Sequence, residues 1–222
     1  MCDARHCFTI VDIGACGRES DGGVFARSTF GKMFIENELD IPTSAKLPGS
    51  LDDVPFVAVA DAAFPLRINL MKPFGGKGLS KNQMIFNYRL SRARITIENT
   101  FGILATRWRM FRRTIIASPS RVETFAKATF VLHNYLQRSE DELPASQRIY
   151  CPPGYIDSVE SNGTVISGQW RLETEGNLIP ARNNRPSNRY SSTAAVVRDK
   201  FVEYFVGAGQ VKWQNSATFG TK

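Results

Sequence analysis

The run Phe8-Thr9-Ile10-Val11-Asp12-Ile13 is rich in β-formers. It lies between the polar Asp3-Ala4-Arg5-His6 and the glycines Gly14 and Gly17, which predicts a strand with a turn at each end. The chain thus opens on what reads as a hairpin turn, and the strand before that turn is expected to be missing. Ser20-Asp21 supplies a helix start, and Val24, Phe25, Phe30, Phe34, Ile35 and Leu39 predict one or two short helices ending near Asp40. Pro42 to Pro48 reads as a loop. The nearly all-apolar stretch Val54 to Ala60, bounded by Asp52-Asp53 and Asp61, has the pattern of a strand covered on both faces, with Asp61 at its C-terminal end. Pro65, Pro73 and Gly75-Gly76-Lys77-Gly78 mark an irregular loop after it.

From Asn87, the positions Leu90, Arg94, Ile97, Phe101, Leu104, Trp108 and Phe111 recur at alternating steps of four and three, the spacing of one long amphipathic helix. Arg94 alone interrupts the apolar stripe, so Phe101 and Trp108 are expected to pack in a core. Glu98 falls about 80° from the stripe centre, at the border of the buried face. A second helix is predicted from Ser120 to near Leu136, with His133 on its apolar side as a core histidine hydrogen-bonded by its neighbours. Beyond Arg138 the composition turns polar. Cys151-Pro152-Pro153-Gly154, Gly163, Gly168 and Arg182-Asn183-Asn184-Arg185-Pro186 read as an extended segment with little core of its own. One helix interrupts it, from Ser192 to Val206, with Ala195, Val196, Phe201, Val202 and Phe205 as its apolar face. Gly207, Gly209 and Trp213 then suggest a helix stop and a docking aromatic. Strand, helices, buried strand and long helix in that order predict an α/β domain, a sheet flanked by helices, over 1–138. A polar, irregular C-terminal tail containing one helix follows over 139–222.

Length and composition suit one full-sized globular core. No apolar run approaches the roughly 20 residues that span a bilayer, so no membrane partner is expected. The start of the chain has no apolar leader core. The four cysteines include no C-x-x-C pair, which argues against a disulfide framework or zinc ribbon. The net charge of +7 favours an anionic partner, and its placement sharpens this. Between Lys81 and Arg113 eight basic residues face the single acid Glu98, an excess equal to that of the whole chain. Arg89, Arg92, Arg107, Arg109, Arg112 and Arg113 are therefore candidate contacts to nucleic-acid phosphates, against the alternative of a solvated helix face.

Asp61 at a strand end and Glu98 on a helix bordering the core are carboxylates that could share a divalent ion. Hard Mg²⁺ or Mn²⁺ prefers such oxygen ligands. Position alone favours the alternative in which Asp61 merely ends its strand and Glu98 pairs with Arg94 one turn earlier.

Four blocks resemble the core of the PIF/Harbinger-type DDE transposases and the domesticated nucleases derived from them. They are Phe8 to Asp21 (FTIVDIGACGRESD), Val59 to Leu66 (VADAAFPL), Phe86 to Trp108 (FNYRLSRARITIENTFGILATRW) and Val131 to Asn134 (VLHN), in the same order and within Met1 to Leu136. The resemblance implies an RNase H-like mixed sheet and metal-dependent hydrolysis of DNA phosphodiester bonds in the nucleus. It makes Asp61 and Glu98 the second and third catalytic acids of the triad. Asp21 joins them as a further metal-binding position, and Mg²⁺ or Mn²⁺ is the expected cofactor. Asp12 is a weaker candidate at the end of its predicted strand.

One departure bears on activity. In the family the first acid of the triad lies on an opening strand upstream of the stretch matching Met1-Cys2-Asp3-Ala4, and Asp3, in the turn, is no substitute for it. The domain is therefore expected to be N-terminally incomplete and its nuclease activity impaired. The alternative is a non-catalytic DNA- or protein-binding remnant of a transposase. Whether the tail covers the domain or holds a protein partner or a second copy of the chain stays open.

Overall fold

The computed structural model describes residues 1–15, 19–173 and 191–220. Gly17 of the expected turn and the polar run Arg182 to Pro186 lie outside the described residues. Ser20 caps helix α1 (Asp21–Arg27), accepting from the Gly23 amide, and Ser28 ends it while capping α2 (Thr29–Ile35) through the Gly31 amide. Two hydroxyl caps so close together divide the segment into two short helices. The second stops before the expected Asp40, at Asn37 with its φ of 59°.

Strands β1 (Ala45–Lys46) and β2 (Asp53–Val54) pair antiparallel, β1 arising inside the expected loop. β3 (Ala58–Val59) pairs parallel with β4 (Leu70–Met71), in the register Ala58 to Leu70 and Val59 to Met71. The single strand expected over Val54 to Ala60 is thus divided. Pro55 lacks the N–H a ladder needs, and Phe56 and Val59 are exposed, so the run is not covered on both faces.

Helix α3 (Lys81–Arg107) begins six residues before Asn87. Ser80 and Gln83 exchange side-chain and backbone bonds in a capping box, which places the start there. Phe101, expected in the core, is half exposed, with one ring face on Phe8. A 3₁₀ turn over Arg109–Arg112 leads to α4 (Pro119–Asp141), which extends five residues past Leu136. The tail then forms a hairpin of β5 (Ser158–Val159) and β6 (Val165–Ile166), followed by helices α5 (Trp170–Glu173), α6 (Ser192–Val206) and α7 (Gln214–Phe219). Among the described residues three α-helices stand where one was expected. The predicted bounds of α6 agree with the structure, set by Ser191 accepting from the Ala194 amide and by Gly207. Its buried face is Ala194, Val197, Arg198, Phe201 and Val202, while Val196 points to solvent.

The expected strand at Phe8 to Ile13 is reduced to the edge of a hairpin. Cys2 bridges Phe8, the Thr9 amide donates to Met1, and the Met1 ammonium donates to the Ile10 carbonyl. The turn itself is as predicted: Asp3 Oδ1 accepts from the amides of Arg5 and Cys7. Asn134 also holds Phe8, since its amide both donates to and accepts from the Phe8 backbone at 2.7 Å.

The described chain is mixed α/β, with two-stranded sheets, and it separates into two compact units. One comprises Met1–Cys16 with Ile95–Ala181, the other Gly17–Arg94 with Arg182–Lys222, so α3 contributes a half to each. In the second unit Val54, Leu66, Met71, Phe86 and Leu90 pack with Ala194, Val197, Phe201 and Val202 of α6. In the first, Ile103 packs with Tyr150, Tyr155 and Trp170. The polar stretch after Arg138 therefore seals one side of α3. A Cβ added to Gly102 would lie 2.4 Å from the Trp170 ring, so only glycine lets that indole seat.

Candidate carboxylates and their surroundings

Asp61 follows β3 by two residues, after Ala60, whose amide donates to the Met71 carbonyl. Its Oδ1 accepts the Ala63 amide at 2.8 Å, an Asx turn that fixes the carboxylate at the end of the parallel pair. Lys72, in the residue after β4, is almost fully buried and donates from Nζ to the Ala62 carbonyl at 3.0 Å. Burial pushes the Lys72 pKa down, Arg198 adds to this, and the Asp61 charge works against it. Asp61 thus shares its turn with a buried ammonium.

Asp21 opens α1 and is exposed. Its neighbour Gly22 packs so closely on the turn after Asp61 that a Cβ would sit 2.5 Å from the Ala63 carbonyl oxygen, and the Phe25 ring meets Phe64 edge-on. The start of α1 and the Asp61 turn therefore form one neighbourhood in the second unit. Asp12 is exposed and belongs to the first unit.

Glu98 also lies in the first unit, its side chain 44% exposed and its Oε2 3.7 Å from Arg171 Nη2. Arg171 in turn chelates Asp157, with Nε at 2.8 and 3.0 Å from the two carboxylate oxygens and Nη2 on Oδ2. The Asp157 side chain is 1% exposed and also accepts the Gly168 amide. Burial alone would raise its pKa, but the Arg171 and Gly168 hydrogen bonds outweigh that and hold it below the usual carboxylate range. Beside Glu98, Asn99 exchanges bonds with both backbone groups of Asp157 and accepts the Trp170 indole N–H at 2.9 Å. Asp157 and Arg171 escaped the sequence reading. The only local signal was a lone tryptophan in a polar segment.

His133 is fully buried, as expected, with Nδ1 2.7 Å from the Tyr150 hydroxyl and Nε2 2.7 Å from the His6 carbonyl. Trp108 donates its indole N–H to the same hydroxyl, so Tyr150 donates its proton to Nδ1 and His133 carries its own on Nε2. Burial pushes the Tyr150 pKa up to about 12. Glu140 fixes the strand-like turn that presents Tyr150: its carboxylate accepts the successive amides of Ile149, Tyr150 and Cys151. Burial would raise the Glu140 pKa, and these three amides override it.

The basic cluster divides by environment. Arg89 donates to Gly209 and Gln214 and stacks on Phe205, and Arg92 stacks on Trp213, the aromatic expected to dock. Arg107 donates to the carbonyls of Tyr150 and Ile149 over the Tyr155 ring. Arg112 bonds the Ala105 carbonyl and lies 3.7 Å from Glu173. Arg109 and Arg113 are exposed.

The sequence pattern of the DDE superfamily endonucleases matches residues 1–134. The chain belongs to that family. It is a transposase-derived nuclease domain, and the match spans Asp21, Asp61, Glu98 and His133 but ends before Asp157 and Arg171. No curated protein and no solved structure matches the chain. Among the described residues no three or more His, Cys, Asp or Glu side chains gather as a metal-holding group. The candidate acids Asp21, Asp61 and Glu98 offer carboxylate oxygens, the donor chemistry a hard divalent ion requires. No helix among the described residues is long and apolar enough to cross a membrane.

Proposed function

We propose that this DDE domain is of the PIF/Harbinger type, RNase H-like in origin, and acts on DNA phosphodiester bonds in the nucleus. Asp61 and Glu98 are its catalytic carboxylates, and Asp21, Asp61 and Glu98 its ligands for Mg²⁺ or Mn²⁺. The observation that carries this reading is the packing of Gly22 against Ala63, which brings the α1 start bearing Asp21 onto the turn bearing Asp61. When bound, the ion supplies Lewis-acid activation of the phosphate and of a water nucleophile. The chain's own residues orient: the Ala63 amide fixes Asp61, and Arg109 and Arg113 are exposed to meet backbone phosphates.

Catalysis by the 222-residue chain alone is weak on this reading, because Asp61 and Glu98 each already have a cation beside them, Lys72 and Arg171. The same observation supports a second reading, a DNA- or protein-binding remnant in which those cations have replaced the metal. Thermal melting in MnCl₂ separates the two. A rise in Tm for the wild type that Asp61→Asn abolishes supports the metal site, and no rise at saturating Mn²⁺ supports the remnant. Metal-dependent DNA cleavage lost in Glu98→Gln would establish the nuclease.

A further inference from the structure

Glu98 meets Arg171, a cation from a part of the chain that the family pattern does not reach. Residues 157–171 are tied to α3 at Asn99, through the Asp157 backbone and the Trp170 indole, one position from Glu98. The tie sets Arg171 Nη2 at 3.7 Å from the Glu98 carboxylate. We propose that Arg171 is a displaceable counter-ion of Glu98, one that an incoming divalent cation must push aside, so that this segment regulates access to the acid. The proposal rests on the reading of Glu98 as a metal-binding carboxylate.

Two features mark the contact as displaceable rather than structural. Both side chains are more than two-fifths exposed, and ion pairs in that setting are weak. The Arg171 charge is also already balanced by Asp157, whose side chain is 1% exposed and chelates it closely. When Glu98 turns to another cation, Arg171 keeps this buried partner, so no charge is stranded. In the occupied state Arg171 opposes the metal twice, by competing for the carboxylate and by repelling the ion.

The test is calorimetric titration of the whole chain with MnCl₂. Removing Arg171 alone would leave the buried Asp157 carboxylate unmatched, so the variant is Arg171→Gln combined with Asp157→Asn, which keeps a neutral hydrogen-bonded pair. Persistence of the Trp170 indole N–H resonance shows that the segment stays docked. The double variant is expected to bind Mn²⁺ more tightly but by less than about fivefold, since fivefold is the Coulombic effect of one charge at roughly 4 Å in a water-like medium and the simultaneous loss of the Asp157 charge subtracts from it. Adding Glu98→Gln should erase the gain. Glu98-dependent binding that is unchanged or weaker in the double variant overturns the counter-ion role and leaves the metal reading intact. If Glu98→Gln changes Mn²⁺ binding in neither background, the metal reading fails and the proposal with it.

Discussion

The Nδ1 atom of His133 lies 2.7 Å from the Tyr150 hydroxyl, and the ring's other nitrogen is equally close to the His6 carbonyl. Both contacts suit a neutral imidazole with its proton on Nε2. Burial lowers the His133 pKa, and it lowers that of His6 as well. The unfolded chain takes up these protons near pH 6.5, whereas the folded chain resists until lower pH. Stability is therefore full above about pH 6.5 and declines as pH falls below it toward the folded values. Tm measured from pH 8 to pH 5 should drop on the acid side, and His133→Gln should flatten that slope. An equal slope in the variant would show that His133 is not its source.

Gly102 lets the Trp170 indole close against α3. Gly102→Ala should cost about 1–3 kcal/mol by overpacking, read from the urea midpoint. Gly75→Ala, with open space around it, should leave the midpoint within roughly 0.5 kcal/mol.

Asn99 satisfies both backbone groups of Asp157 and the Trp170 indole at once. Asn99→Ala leaves these buried partners unmatched and should destabilise by about 2–4 kcal/mol. The loss should appear in denaturant unfolding together with exposure of Trp170 in its fluorescence. A loss below about 1 kcal/mol would mean that water replaces the amide.

The arginines make two distinct predictions. Arg109→Ala with Arg113→Ala should weaken binding to a random-sequence duplex and lower the salt slope by about 2, close to one per phosphate contact. Arg89→Ala should leave the slope unchanged and lower Tm, because Arg89 bonds Gly209 and Gln214. Anisotropy over a KCl titration reads the first effect and melting the second. A reduced slope in Arg89→Ala would show that its internal bonds open to DNA.

What could be read from the sequence was local. Ser20, Ser191 and Gly207 mark helix ends by chemistry within a few residues, and α6 follows from them. The resemblance marked Asp21, Asp61 and Glu98 as candidates, and the structure brings the start of α1 bearing Asp21 next to the turn bearing Asp61. The parallel pairing of Ala58 with Leu70 was hidden because Leu70 lies among loop-like residues and its partner is distant in sequence. Phe101 was misjudged because a single stripe assumes one buried face, whereas α3 is wrapped from Asn99 to Thr106 and leaves Phe101 half exposed. The charge partners Lys72 and Arg171 each depend on a long-range approach that spacing does not encode. The same holds for Arg89 and Arg107, whose charges were legible and whose internal acceptors were not.

Glu140 grips three consecutive amides downstream, so one side chain sets the position at which the chain re-enters beside His133. The residues between, around Pro144 to Gln147, form only a short 3₁₀ turn and carry little of that positioning. Lengthening them costs little closure entropy, about 0.6 kcal/mol per doubling. The bend between α4 and Tyr150 is accordingly the natural place for a grafted tag, with Glu140 restoring the frame after it.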